Sequence, residues 1–253
     1  MAGHSKWANI KRQKARVDAV KGKVFAKISR EIIVAARSGA DPAGNFQLRT
    51  AIDKAKVAGI PNDNIDRAIA KGSGQFNDGN ELEAIRYEGY GEGGIAVLIE
   101  ALTDNRNRTA ADLRSAFTKN GGNLGETGCV SWMFDHKGVV TITGSVDEDE
   151  LLEASVEGGA EYYEMISEDE FEGAEVFTET TNLENLSQAL RETGFNVTEV
   201  ELRWISNNNV EVTDLEQARS LLKLMDALDD IDDVQNVTAN FDMANELVSA
   251  ALV

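Results

Sequence analysis

The hydrophobic pattern changes period near residue 80, from 3.6 to 2, and a chain with that change is constrained to a helical head followed by an α/β body. In the head, Val24, Phe25, Ile28, Ile32, Ala35 and Ala36 fall on one arc of a helical wheel. A second helix is predicted after Asn45, with Leu48, Ile52 and Ala55 inward, ending near Gly59. A third follows Pro61-Asn62, carries Ile65 and Ile69, and stops at Gly72. Residues 72–80 have linker composition, which sets the helical domain at residues 1–74.

Beyond the linker, residues 85–90 and 95–102 read as two strands joined by the hairpin signal Gly91-Glu-Gly-Gly94, and a helix is predicted over 109–119. Residues 139–143, 148–157, 161–167, 174–179, 183–193 and 196–204 then alternate as strand, helix, strand, strand, helix, strand. That βαββαβ order is the split pattern of ferredoxin-like units. A tail of strand 210–212, helix 214–228 and strand 234–239 follows, with Thr213 and Glu216 spaced as a capping box. A lone βαβ tail has too little sheet to stand by itself, so it is expected to return to the first pair of strands. The expected fold class is α+β with three domains. These are a three-helix domain at 1–74, a discontinuous α/β domain at 81–130 plus 207–245, and a ferredoxin-like domain inserted at 131–206.

Charge divides the chain at the same place. Residues 1–74 carry 15 Lys or Arg and 6 Asp or Glu, and residues 75–253 carry 10 and 38, so a head of +9 is joined to a body of −28. A basic field of that density attracts polyanions, and nucleic acid is the expected partner. The candidate contacts are Lys6, Lys11, Arg12, Lys14, Arg16, Lys21, Lys23, Lys27, Arg30 and Arg37, with Trp7 as a candidate stacking side chain. Lys23, Lys27, Arg30 and Arg37 fall within about 80° of one another, opposite the apolar arc. Arg106 and Arg108, between a strand end and a helix start, can serve as a second anion contact or pair with neighbouring carboxylates, and pairing is the favoured reading.

No catalytic constellation is legible, so the chain is read as a non-enzyme. There is no phosphate-binding glycine loop of the Gly-x-x-x-x-Gly-Lys type, and no cofactor is expected. A single Cys129 with His4 and His136 cannot build a zinc tetrad, so no metal site is expected. The run Asp226, Asp229, Asp230, Asp232, Asp233 has the chemistry of a metal-dependent nuclease, but a solvated helix end is the favoured reading. No stretch approaches the ~20 apolar residues of a membrane span, and the first six residues have no apolar core, so a soluble cytoplasmic protein is expected. Oligomeric state is not specified by the sequence.

Several blocks then carry a resemblance: Met1-Ala-Gly-His-Ser-Lys-Trp-Ala-Asn-Ile-Lys11, Lys54-Ala-Lys56 with Pro61-Asn-Asp-Asn-Ile65, Tyr87-Glu-Gly-Tyr-Gly91, Thr103-Asp-Asn-Arg-Asn-Arg-Thr109, Gly121-Gly-Asn-Leu124, Trp132-Met-Phe134 and Asp232-Asp-Val-Gln-Asn-Val237. In these the chain resembles the YebC/PmpR family, which includes the mitochondrial translational activator of cytochrome oxidase subunit I. The resemblance implies a helical domain followed by two α/β domains. It implies a DNA-binding transcriptional regulator, or alternatively a ribosome-associated factor that binds ribosomal RNA beside ribosomal proteins and promotes translation through difficult stretches. The chain departs from the family's usual pattern at Arg12, where many members have His, and at Phe46-Gln47, where Pro-Arg is common.

Overall fold

The computed structural model describes Trp7, Ile10 and residues 21–75, 82–168 and 171–252. The head is an all-helical domain of α1 (Lys21–Ala36), α2 (Phe46–Val57) and α3 (Asn62–Gly72). Ile28, Ile32, Ala35 and Ala36 of α1 are buried against Leu48, Ala51, Ile52 and Ala55 of α2 and Ile65 and Ala68 of α3. Val24 lies on the same arc yet is exposed, while Phe25 beside it is partly buried against the core. Asn45 caps α2 by accepting from the Leu48 N–H, and its amide ties back to the Ala35 carbonyl at 2.8 Å. Gly72 sets the approach of α3 to α1: a Cβ there would stand 2.2 Å from the Ile33 carbonyl oxygen.

Among its described residues the body has two sheets of four strands and one of two. The middle domain contributes β1 (Glu83–Tyr90), β2 (Ala96–Thr103), α4 (Arg106–Lys119) and β3 (Asn123–Leu124). The inserted domain is β4 (Phe134–Thr143), α5 (Glu148–Glu157), β5 (Tyr162–Glu168), β6 (Phe171–Glu179), α6 (Leu183–Glu192) and β7 (Val197–Ser206). The tail returns as β8 (Val210–Val212), α7 (Leu215–Asp229), β9 (Val234–Ala239), β10 (Phe241–Met243) and α8 (Asn245–Ala251).

The first sheet runs β3-β1-β2-β9, with β1 antiparallel to β2 and β2 antiparallel to β9. The tail therefore does come back to the first hairpin, through β9. β8 departs from the expected arrangement: it pairs in parallel with β10, a strand the alternating pattern is too short to mark. One face of the sheet packs Val97, Ile99, Val237 and Ala239 against Leu113 and Phe117 of α4 and Leu221, Leu224, Met225 and Leu228 of α7. In place of the capping box expected at Thr213 and Glu216, the N-cap is Asp214, which accepts from the Gln217 N–H, while the Gln217 side chain donates to the Glu92 carbonyl. α4 likewise begins three residues before its expected start, because Asn105 accepts from the Arg108 N–H and nucleates the turn.

The inserted domain has strand order β5-β6-β4-β7. Its first and third strands are adjacent and antiparallel, as a ferredoxin-like βαββαβ unit requires. Arg203 is buried there with Glu175 at 2.6 Å and also bonds Glu201, so its charge is compensated where water cannot reach it. By internal contacts the chain forms two compact units: Met1–Asp135 with Ile205–Val253, and His136–Trp204.

Candidate nucleic-acid interface

Lys23, Lys27 and Arg30 do share one face of α1, and within the first compact unit that face meets the acidic end of α7. Lys23 Nζ lies 2.9 Å from Asp230 Oδ1. Lys27 Nζ lies 3.2 Å from Asp229 Oδ1 and donates to the Asp229 carbonyl at 2.9 Å. Arg30 donates to the Asp232 carbonyl and stands 3.6 Å from the Asp233 carboxylate. Arg37, seven residues beyond Arg30 and just past the end of α1, is exposed and donates to the Leu82 carbonyl at 2.7 Å. The hydrogen bond from Lys23 to Asp230 holds its ammonium above the usual lysine range.

The physical reason lies in α7. A helix carries unsatisfied carbonyls and partial negative charge at its C-terminus, where acidic side chains are unfavourable. α7 has Asp226 and Asp229 in its last turn, Asp230 as its C-cap and no basic residue to offset them. Lys23 and Lys27 supply the missing cations from the head, each donating to a carbonyl and to a carboxylate. The Asp run is therefore partly engaged by the head, at Asp229 and Asp230, while Asp230 and Asp232 remain exposed as a solvated helix end would have them. Among the described residues no group of three or more His, Cys, Asp or Glu is placed to hold a metal ion.

Asp233 joins this contact to the second candidate site. Its carboxylate is 4% exposed and accepts from Arg108 at 2.8 Å, Thr109 at 2.8 Å and Thr103 at 3.2 Å. Burial pushes its pKa up, but the bonds from Arg108, Thr109 and Thr103 outweigh this and hold it below the usual carboxylate range. Arg108 also bonds Asp104 at 2.8 Å, and Arg106 stands 3.6 Å from Glu83. Both arginines are thus paired with carboxylates, the structural alternative of the two.

Trp7 is a correction. It is 2% exposed and sits with Ile10 in the core of the middle domain among residues of β2, α4 and α7, so it has no ring face available to a base. Among the described residues, the core that holds it contains none of α1, α2 or α3. Lys6, Lys11, Arg12, Lys14 and Arg16 lie outside the described residues, as does the side chain of Lys21. The exposed Lys56 and Arg67 lie elsewhere on the head, on α2 and α3.

A second constellation escaped the sequence reading. Glu88 points from β1 into the segment after β3, where it accepts from the N–H groups of Gly128, Val130 and Ser131 at 2.7–2.8 Å. Burial raises its pKa, yet these three bonds prevail and hold the carboxyl below its ordinary value. Nearby Cys129 is pushed the other way, upward, by burial and by the Glu88 charge, so its thiol is not activated as a nucleophile. His136 is stacked on Trp204 at 4.5 Å. Replacing Glu88 with Gln is expected to cost about 1–3 kcal/mol near neutral pH, since an amide oxygen cannot serve three donors. Glu88's contribution is present above the unfolded pKa of about 4.3 and is lost as pH falls through the depressed folded value. Glu88→Gln should therefore flatten the acid limb of the stability profile, measured by urea unfolding at several pH values.

These features define a three-domain α+β protein in which a basic helical head is held by ion pairs to a middle domain that a ferredoxin-like domain interrupts. Two family models match: the TACO1/YebC protein N-terminal domain over residues 5–75, and the TACO1/YebC second and third domain over residues 82–241. The chain belongs to the TACO1/YebC family. It is 84% identical, over 98% of each chain, to a probable transcriptional regulatory protein of Trichodesmium erythraeum. It is 73% identical, over the full length of both, to another of that description from Gloeothece citriformis. A crystal structure of a conserved hypothetical protein from Aquifex aeolicus matches with a TM-score of 0.82 at 43% identity, covering 91% of this chain and 94% of that one.

Proposed function

We propose that this protein is a non-enzymatic, cytoplasmic regulator that binds nucleic acid through the basic face of α1. The observation that carries the reading is the strip itself. Lys23, Lys27 and Arg30 are spaced along one helix face so that each binds successive oxygens of a single acidic segment. A row of phosphates presents the same chemistry, and Arg37 stands about two turns further along, just past the end of α1. The names of the relatives, probable transcriptional regulatory proteins, support DNA as the target and transcription as the process.

One observation favours a second target, ribosomal RNA. The −28 carried by residues 75–253 repels a long naked duplex, whereas RNA interleaved with basic ribosomal proteins offers the head phosphate and the body positive partners. Crosslinking in intact cells followed by sequencing of the attached nucleic acid separates the two: promoter fragments or ribosomal RNA should dominate.

The binding mode is tested by exchanging Lys23, Lys27 and Arg30 together for Gln. Gln is nearly as good a helix former and all three lie off the apolar arc, so circular dichroism should show α1 still helical although the contact with the end of α7 is lost. Affinity for duplex DNA or ribosomal RNA should fall about tenfold or more, alike for all sequences. Unchanged affinity would remove the strip from the binding site.

A further inference from the structure

The oxygens that α1 already holds belong to the protein itself. Lys27 and its partner Asp229 are both largely shielded, with side-chain exposures of 17% and 25%, and Arg30 is engaged by Asp232 and Asp233. A lysine that donates to both the carbonyl and the carboxylate of one aspartate has committed two of its three ammonium N–H groups to that residue. A phosphate approaching the same face meets the Asp229–Asp233 segment first, and like charges a few ångströms apart cannot share one ammonium without cost. The segment also needs the lysines, because they supply the positive charge that the C-terminus of α7 lacks.

We infer that the Asp229–Asp233 segment is an internal competitor for the strip, so that nucleic-acid phosphates and the acidic end of α7 occupy Lys23, Lys27 and Arg30 in turn and never together. This rests on the nucleic-acid reading of the strip and adds its regulation. The closed state is held by the ion pairs of Lys23, Lys27 and Arg30 with Asp230, Asp229 and Asp233 and by their bonds to carbonyls at the helix end, few enough for a polyanion with several phosphates to displace. Any basic partner that captures the acidic segment releases the strip, while any change that adds negative charge near Asp229 and Asp230 holds it closed. Affinity is then set by the free energy of opening as well as by the contacts made afterwards. Asp233 is the fixed end of the device, since Arg108, Thr103 and Thr109 anchor it in the body whether or not Arg30 is present.

The test uses the full chain and a labelled short duplex DNA, with a single-stranded RNA of equal length in parallel, at about 50 mM salt, where phosphate contacts dominate. Asp229→Asn with Asp230→Asn removes two competitors and leaves Asp233 intact. Asp112→Asn with Glu211→Gln makes the same change in net charge at exposed positions away from the strip. The first pair should tighten binding roughly five- to tenfold, the range expected for two partly exposed ion pairs, and the second by less than about twofold. On the unaltered protein, saturating DNA should speed hydrogen exchange of the Asp230 and Ile231 N–H groups, whose bonds to Asp226 and Leu228 close the last turn of α7. Equal effects of the two pairs, with exchange unchanged, would overturn the competition while leaving a strip that binds. Absence of binding by every variant, on DNA and RNA alike, would overturn the nucleic-acid reading and the competition with it.

Discussion

Asp233→Ala is expected to destabilise the first compact unit by about 2–4 kcal/mol, the largest loss of any single carboxylate in the head-to-body contact. The change takes the carboxylate acceptor from the buried Thr103 and Thr109 hydroxyls, of which Thr109 keeps the Asn105 carbonyl and Thr103, and deprives Arg108 of the inner of its two carboxylates. It also removes the counterion that lies 3.6 Å from Arg30. Asp233→Asn keeps one acceptor and should fall between wild type and Ala. The folded-state pKa of Asp233 is depressed, so its contribution is full above the unfolded value of about 3.9 and fades as pH falls through the folded one. The gap between wild type and Asp233→Ala should therefore narrow as the medium is made acidic. Urea unfolding at neutral pH and near pH 3, followed by far-ultraviolet circular dichroism, measures both. A change under about 0.5 kcal/mol at neutral pH would show that the network is surface decoration.

What the sequence made legible was whatever local chemistry decides. The apolar arc of Ile28, Ile32, Ala35 and Ala36 fixed α1, because burial at 3.6 spacing has one outcome. The βαββαβ order fixed the ferredoxin-like unit, and the instability of a lone tail placed β9 beside β2. The gathering of Lys23, Lys27 and Arg30 on one face was equally legible. Their occupant was not, because Asp229 and Asp230 lie about two hundred positions away and sequence period carries no information over that distance. One local signal did point there: a helix ending in carboxylates with no basic residue in its last turn asks for cations from elsewhere.

Trp7 shows the opposite failure. Its basic neighbours Lys6 and Lys11 suggested an exposed stacking residue, but a large apolar side chain is decided by the nearest unfilled core, and that core belongs to the middle domain. Glu88 was hidden for a related reason. A carboxylate in an alternating strand reads as solvent-facing, and only the fold shows three N–H groups converging on it.

The central claim is that the α1 strip grips phosphate, and the dependence of affinity on salt tests it most directly. Lys23, Lys27, Arg30 and Arg37 neutralising four phosphates of a duplex require log K to fall against log salt with a slope of about −3.5. Affinity should then drop roughly a hundredfold between 50 and 200 mM salt. Each cation of the strip exchanged for Gln should make the slope shallower by about one. Exchanging Arg106 and Arg108, which are paired with Glu83, Asp104 and Asp233, should leave the slope where it was. A slope near zero for the unaltered protein on DNA and RNA alike would contradict the account, and would assign the strip to the acidic end of α7 alone.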